Sequence, residues 1–328
     1  MPSNTREAAT VFQQKAPAEH NNTVGVFPCA LVFVDAQAAG SPNFKSKNPL
    51  SYVRQAICLS NSLLHAGLPR LNIFTNAVEA VLSEVEDIPA PDRPVIHQLK
   101  VTMDVPNKLL FYAAHFKLDV IAQATEMLQA NELLLLLDTD MVALRVLDQD
   151  LLRRCSAAGV GAFDISDQVF PAYGSKRVID DLEVVAGRQL LNPRWYGGEF
   201  LVATSTFLHG FLPQARLRYA KYIQEMGRLS HQGDEIFISA TLNTLGDEGQ
   251  HIIEVGAYQA VGRHWAGNTH RDLRWFRGCC FLHLSGEKTL FEKESRFHDF
   301  DPRRFWRKVL TAHFIGRIQF AVKLYLKR

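Results

Sequence analysis

Two aspartates one residue apart, Asp138 and Asp140, directly follow five consecutive leucines, Leu133 to Leu137. A run of that length is too short to cross a membrane and too uniformly apolar for a strand with one wet face. It suits a central strand of a parallel sheet, buried on both sides. Open α/β sheets bind ligands outside the carboxyl ends of their strands, and the two acids stand at such an end. In extended backbone, residues two apart point the same way, which aims both carboxylates at one spot. Carboxylates that close repel each other, and a hard divalent cation, Mg²⁺ or Mn²⁺, removes the repulsion. The chemistry implied is a metal site that holds a diphosphate. Taken alone, the same pair also serves as a strand end or a helix N-cap.

Other stretches supply residues that could join such a site. His115 and Lys117 lie on a segment, Leu109 to Leu128, whose Phe111, His115, Leu118 and Ala122 share one helical face. A packed core histidine and a solvated lysine are their structural alternatives. In Trp195-Tyr196-Gly197-Gly198-Glu199-Phe200, a glycine pair ahead of a strand lets backbone approach a ligand. Glu199 beside it could accept hydrogen bonds from sugar hydroxyls, or simply cap a turn. Asp234 and Glu235 open an apolar helix that runs from Ile236 to Leu245. There they complement the helix dipole and could also face the crevice. Phe281-Leu282-His283-Leu284-Ser285-Gly286-Glu287-Lys288 ends a strand with an imidazole able to complete a carboxylate metal shell and a lysine able to hold phosphate.

The elements that must position these groups read as α/β. Pro28 to Asp35 is a buried strand ending in an acid. A helix opens at Asn48-Pro49, with Val53, Ala56, Ile57, Leu63 and Leu64 at helical spacing, and closes at Gly67 and Pro69. Leu71 to Asn76 is a second strand, so the chain opens as a right-handed βαβ unit with a parallel sheet. The first strand is not followed by Gly-x-Gly-x-x-Gly, which disfavours a dinucleotide cofactor. Val95 to Leu99 and Val160 to Phe163 read as short strands, the latter followed by a polar connection, and Leu208 to Leu229 as helix.

Composition narrows the class. A chain of 328 residues with 47% hydrophobic and 21% charged residues has the balance of a soluble globular protein, and no run of about 18 apolar residues predicts a membrane span. Met1 to Asn22 is polar, without the basic-then-apolar pattern of a secretory signal, and reads as a disordered lead-in. The five cysteines lack metal-knuckle spacing and read as reduced thiols of a cytoplasmic protein. From Pro302 to Arg328 there are eight Lys or Arg and no acid, leaving 28 basic against 34 acidic residues elsewhere. An acidic body argues against a broad nucleic-acid-tracking surface. In the tail, Trp306, Leu310, Phe314, Ile318, Val322 and Tyr325 recur at near-helical spacing. A basic amphipathic helix of this kind either lies on an anionic membrane surface or packs on the body with a solvated basic face.

Set together, these stretches resemble the GT-A glycosyltransferases, most closely family 8 and its glycogenin-like members, over residues 28 to 290. "FKLDVIAQATEML…LLLLLDTDMV" is similar to the family's helix and metal-binding Asp-x-Asp strand. "WYGGEFLVATSTFL" resembles its Asn-x-Gly strand, with Tyr196 where the asparagine is usual. "QGDEIFISATLN" is similar to its acidic-Gln helix opening, with Glu235 for the glutamine. "HLSGEK" resembles its His-x-x-Gly-x-x-Lys-Pro-Trp motif, one residue shorter and without Pro-Trp.

The resemblance implies a Rossmann-like, mostly parallel sheet flanked by helices over 28–290. A disordered lead-in, 1–27, would precede it and a basic amphipathic segment, 291–328, would follow. It implies that Asp138, Asp140 and His283 ligate Mn²⁺ or Mg²⁺ and that Gly286 and Lys288 contact the diphosphate. Asp35, His115, Lys117, Thr139, Gly198 and Glu199 would line the donor side, with Asp234 and Glu235 the catalytic acids. The expected reaction moves a sugar from a nucleotide-diphosphate sugar, a UDP-sugar by the resemblance, to a glycan or a lipid-linked acceptor at the cytoplasmic membrane face. Two alternatives stay open: a haloacid-dehalogenase-like phosphatase, which also carries Asp-x-Asp after an apolar strand, and a nucleotide-sugar-binding module without turnover.

Overall fold

Burial decides the centre of the molecule, and the five leucines are its middle: each is at most 1% exposed. The computed structural model describes residues 23–34, 48, 50–107, 109–264 and 273–326. In chain order come β1 (Gly25–Val32), α1 (Ser51–His65), β2 (Asn72–Thr75), α2 (Val78–Val85) and β3 (Val95–Gln98). A 3₁₀ turn at Tyr112–Phe116 leads into α3 (Lys117–Thr125), β4 (Glu132–Leu137) and the short β5 (Met141–Ala143). Next are α4 (Gln149–Ala158), β6 (Val160–Asp164), α5 (Ser166–Tyr173), α6 (Ser175–Ala186), β7 (Tyr196–Ala203) and α7 (Ser205–Glu225). The chain continues with α8 (Asp234–Asp247), β8 (Ile253–Glu254), β9 (Val261–Arg263), β10 (Phe281–His283), α9 (Lys288–Glu294) and α10 (Pro302–Leu326).

Among the described residues the main sheet has seven strands in the order β3-β2-β1-β4-β7-β6-β8. All neighbours run parallel except β7, which is antiparallel to both β4 and β6. This is the mixed α/β sheet, mostly parallel and flanked by helices, that the leucine run and the βαβ opening predict. A second, three-stranded sheet, β5-β10-β9, sits over a separate apolar cluster that includes Val142, Leu282, Leu284, Phe291, Phe305 and Trp306.

Several expected elements take a different form. β1 begins at Gly25 and ends at Val32, earlier at both ends than read from the sequence; Asp35 lies outside the described residues. The stretch Leu109–Leu128 is not one helix. Phe111 adopts a left-handed backbone, φ 55°, and the chain passes through the 3₁₀ turn before α3 begins, so Phe111 leaves the common face. The polar connection after β6 is two helices. In α6, Val178, Leu182 and Val185 are buried, a helical stripe hidden among charged neighbours. The glycine pair lies inside β7, not ahead of it, and every residue of that strand is buried.

Candidate active site

β4 ends at Leu137, and the next residues leave the sheet. Thr139 and Asp140 form a turn into β5, so the two acids are not brought together by strand alternation. The turn does it instead, with β10. His283 is the register partner of Met141, which places its ring beside Asp140: Nε2 lies 3.1 Å from an Asp140 carboxylate oxygen. One ligand atom from each of Asp138, Asp140 and His283 lies within 4.8 Å of the others. β7 runs opposite to β4, so its beginning reaches the same edge, and the Asp138 amide donates to the Glu199 carbonyl at 3.1 Å.

Cations surround this cluster. Lys117 Nζ reaches Asp138 and Asp234, each at 2.7 Å, and donates to the Gly198 carbonyl at 2.8 Å. Lys288 pairs with Asp140 and lies over the Tyr52 ring of α1. Arg263, at the end of β9, donates to Glu235 at 3.0 Å and Glu199 at 3.4 Å. Glu199 in turn stands 3.2 Å from His283 Nδ1. With that nitrogen donating to the carboxylate, Nε2 is left facing the two aspartates, the arrangement in which a carboxylate behind the ring orients a metal-ligating histidine.

Electrostatics follow from crowding. Burial pushes the Asp138 carboxyl above its ordinary value, and the nearby Asp140 and Asp234 add to this against Lys117. Burial acts the same way on Asp140, but Lys288 and His283 outweigh it and hold that carboxyl well below the usual range. Burial disfavours a charged imidazole at His283, yet Asp140 and Glu199 prevail and push its pKa up to about 9. Glu199 is held down to about 2 by Arg263 and His283 against its own burial.

These residues fit a hard divalent cation. Two carboxylates and an imidazole are a donor set for Mn²⁺ or Mg²⁺. Five carboxylates (Asp138, Asp140, Glu199, Asp234, Glu235) meet three permanent cations (Lys117, Arg263, Lys288). With the His283 ring neutral, as a metal ligand must be, two negative charges are left over, which one divalent ion would cancel.

No protein-family model and no curated protein matches the sequence. Solved structures do share its architecture. A galactosyltransferase, LgtC, in complex with donor and acceptor sugar analogs superposes with a TM-score of 0.51 at 13% identity, covering 85% of this chain and 99% of that one. The bifunctional glycosyltransferase WbbM, in its apo form, gives 0.50 at 10% identity over 86% of this chain and 51% of its own. The fold is that of the GT-A glycosyltransferases.

Within the GT-A fold, the sequence-predicted residues separate into two groups. Asp138, Asp140, Lys117, Gly198, Glu199, Asp234, Glu235, His283 and Lys288 come together at one edge of the sheet. Gly198 leaves room for the Asp234–Lys117 pair: a Cβ would lie 2.3 Å from the Asp234 carboxylate and displace it. Thr139 is buried next to them, 3.4 Å from the Gln55 side-chain oxygen. Gly286 is on an exposed turn with no atom near a would-be Cβ. His115 departs from the expectation. Its ring is fully enclosed, hydrogen-bonded to the Tyr222 hydroxyl and stacked on that ring, so it is a core histidine. Lys117, two residues further on, is the opposite of a solvated charge.

Arg263 went unnoticed in the sequence, since a single arginine on a three-residue strand carries no local signal. Arg194 and Asp164, ion-paired at 2.8 Å, were also missed. They line a cavity of about 510 Å³ with Ser166, Asn192 and Glu254 at the carboxyl end of β6, further along the edge where Asp138 sits. The next residue, Trp195, links the two regions by donating from Nε1 to Glu235 at 2.8 Å.

Proposed function

We propose that the protein is a metal-dependent glycosyltransferase. It would take a sugar from a nucleotide-diphosphate sugar and transfer it to a hydroxyl of a glycan or a lipid-linked saccharide. The single observation that carries this reading is the convergence of Asp138, Asp140 and His283, two acids beyond the end of β4 and an imidazole on β10, at the carboxyl edge of a GT-A sheet.

Asp138, Asp140 and His283 would hold Mn²⁺ or Mg²⁺, which when bound supplies positive charge to the departing diphosphate. The chain's own groups do the rest. Lys288 sits at the first residue of α9, where its ammonium, now on Asp140, can shift to a phosphate oxygen. Breaking a glycosyl–phosphate bond builds negative charge on the leaving group, and a preorganised ammonium favours that state. Glu199 holds the His283 ring in one tautomer, and Arg263 holds Glu199.

Asp234 and Glu235 are both engaged by fixed donors: Lys117 on the first, Arg263 and the Trp195 indole on the second. Carboxylates so held are better suited to orienting sugar hydroxyls and favouring positive charge at the anomeric carbon than to removing a proton. The polar cavity beyond Trp195, with Asp164, Arg194, Ser166 and Asn192, offers donors and acceptors that match the hydroxyls of an acceptor sugar.

The test is a panel of nucleotide-diphosphate sugars incubated with Mn²⁺ and, separately, with chelator. Metal-dependent release of the nucleoside diphosphate, lost in Asp140→Asn while thermal unfolding of the variant stays cooperative, supports the proposal. Phosphate release from simple monoesters would overturn it in favour of a phosphatase, and tight binding without turnover would reduce it to a binding module.

A further inference from the structure

The last helix, α10, has two halves with different partners. Its first half is fastened to the body. Phe305, Trp306 and Val309 are buried in the apolar cluster beneath the three-stranded sheet. Arg304 Nη2 and Lys308 both pair with Glu294 of α9, a carboxylate that is itself 1% exposed. Further contacts come from Arg277 over the Trp306 ring and from His313 against His264.

Past His313 the helix changes character. Phe314 is 65% exposed and Tyr325 81%, and Ile315, Ile318 and Val322 are exposed as well, as is Leu310 one turn before Phe314. These are large side chains without the burial that their type ordinarily finds. Their placement is ordered: at ~100° per residue they fall within a single arc of about 140° along the helix. Arg317, exposed, borders that arc. The sequence adds Lys323, Lys327 and Arg328, and no acid occurs anywhere from Pro302 to the end. No described helix is long and apolar enough to cross a membrane, so the face suits lying on a bilayer and not spanning one.

We propose that the outer half of α10 docks this protein on an anionic lipid surface. The apolar arc enters the boundary between headgroups and acyl chains, and Arg317 beside it, with the further positive charge of the tail's sequence, meets the headgroup charge. Charge complementarity selects this occupant. A second copy of the chain would present the same cationic helix to itself, and the rest of the chain, with 28 Lys or Arg against 34 Asp or Glu, is net negative, so the acid-free helix is the segment an anionic surface attracts. The inner half makes the docking consequential. It packs on the cluster that contains Val142 and Leu282, each the neighbour of a residue that builds the candidate metal site's sheet. Docking therefore fixes the β5-β10-β9 sheet, and with it the crevice, at a set height above the bilayer, within reach of an acceptor carried on a lipid. The docking itself does not depend on the transferase reading.

The experiment is vesicle flotation of the full chain, with Phe314→Ser/Ile318→Ser and Arg317→Glu as variants at exposed sites. Vesicles of phosphatidylcholine, and of phosphatidylcholine with about 30 mol% phosphatidylglycerol, are compared at low and high salt. The wild type should float with the anionic vesicles and far less with the neutral ones. The double variant should lose at least about tenfold in partitioning, and Arg317→Glu a few-fold, recovered by neither salt nor metal. Nucleoside-diphosphate release from free donor is measured alongside and should be unchanged in the double variant, which separates this proposal from the catalytic one. Equal flotation on both vesicle types, flotation unaffected by the double substitution, or a solution dimer that the double substitution dissociates would each overturn it.

Discussion

Lys117 is the group whose removal tests the site's electrostatics most sharply. Its ammonium is 6% exposed and lies 2.7 Å from Asp138 and 2.7 Å from Asp234. At that distance each contact is worth about 6 kcal/mol at an effective dielectric of ~20, and desolvation of the three ions offsets most of the total. Replacing Lys117 by Met leaves two acids, one of them 9% exposed, facing each other without a counterion. Breaking a buried pair from one side costs about 3–5 kcal/mol, so Lys117→Met should lower unfolding stability by that amount in urea, followed by tryptophan fluorescence. The partner control is Asp234→Asn. If the bridge exists as described, Lys117→Met/Asp234→Asn should be less damaging than the sum of the singles, with a coupling of about 1–3 kcal/mol. A Lys117→Met protein within about 1 kcal/mol of wild type, or no coupling in the cycle, would refute the buried three-way bridge.

Other expectations follow from the same geometry. Glu199→Gln keeps the shape but weakens the hold on His283, so Mn²⁺ affinity by calorimetry should fall about 10–100-fold while the fold stays intact; unchanged affinity would show that Glu199 does not orient the ring. In the metal-free chain the His283 pKa of about 9 lies above its ordinary value, so the protonated ring contributes stability that is complete below pH 6.5 and lost as pH rises through 9. Metal needs the neutral ring, so affinity should rise by about tenfold per pH unit up to about 9, and a flat profile between pH 7 and 9 would count against His283 as a ligand. Gly198→Ala puts a methyl where the Asp234 carboxylate lies, at 2.3 Å. Asp234 must then leave Lys117, at a cost of about 1–3 kcal/mol, and Tm should drop with no comparable effect from Gly286→Ala on its open turn.

Much of the scaffold is legible in local pattern. The five leucines mark the sheet's centre because a strand buried on both faces needs an unbroken apolar run. The helical stripe Val53, Ala56, Ile57, Leu63 marks α1 for the same reason, and the aspartates stand next in line. Where expectation and structure part, a local rule met a stronger tertiary one. The left-handed Phe111 breaks a helix that periodicity alone would continue. Asp138 and Asp140 converge through a turn held by β10, not through strand alternation. His115 and Lys117, both expected on the donor side, part company: the histidine is absorbed by aromatic packing, and the lysine is drawn inward by two acids.

By itself, then, the sequence determined which residues are apolar at which period, and so the buried strands and the first helix around the main sheet. It also determined that two acids end the central strand and that the last segment carries only positive charge. The tertiary structure alone decided which charges meet. Lys117 finds Asp234 across 117 positions and Lys288 finds Asp140 across 148, while Arg263 reaches Glu199 and Glu235 from a strand with no signature of its own. Burial is written in the pattern of neighbouring residues, since hydrophobic periodicity is a local property. Ion pairing at the site depends on where the chain returns, and that is set by strand order and register.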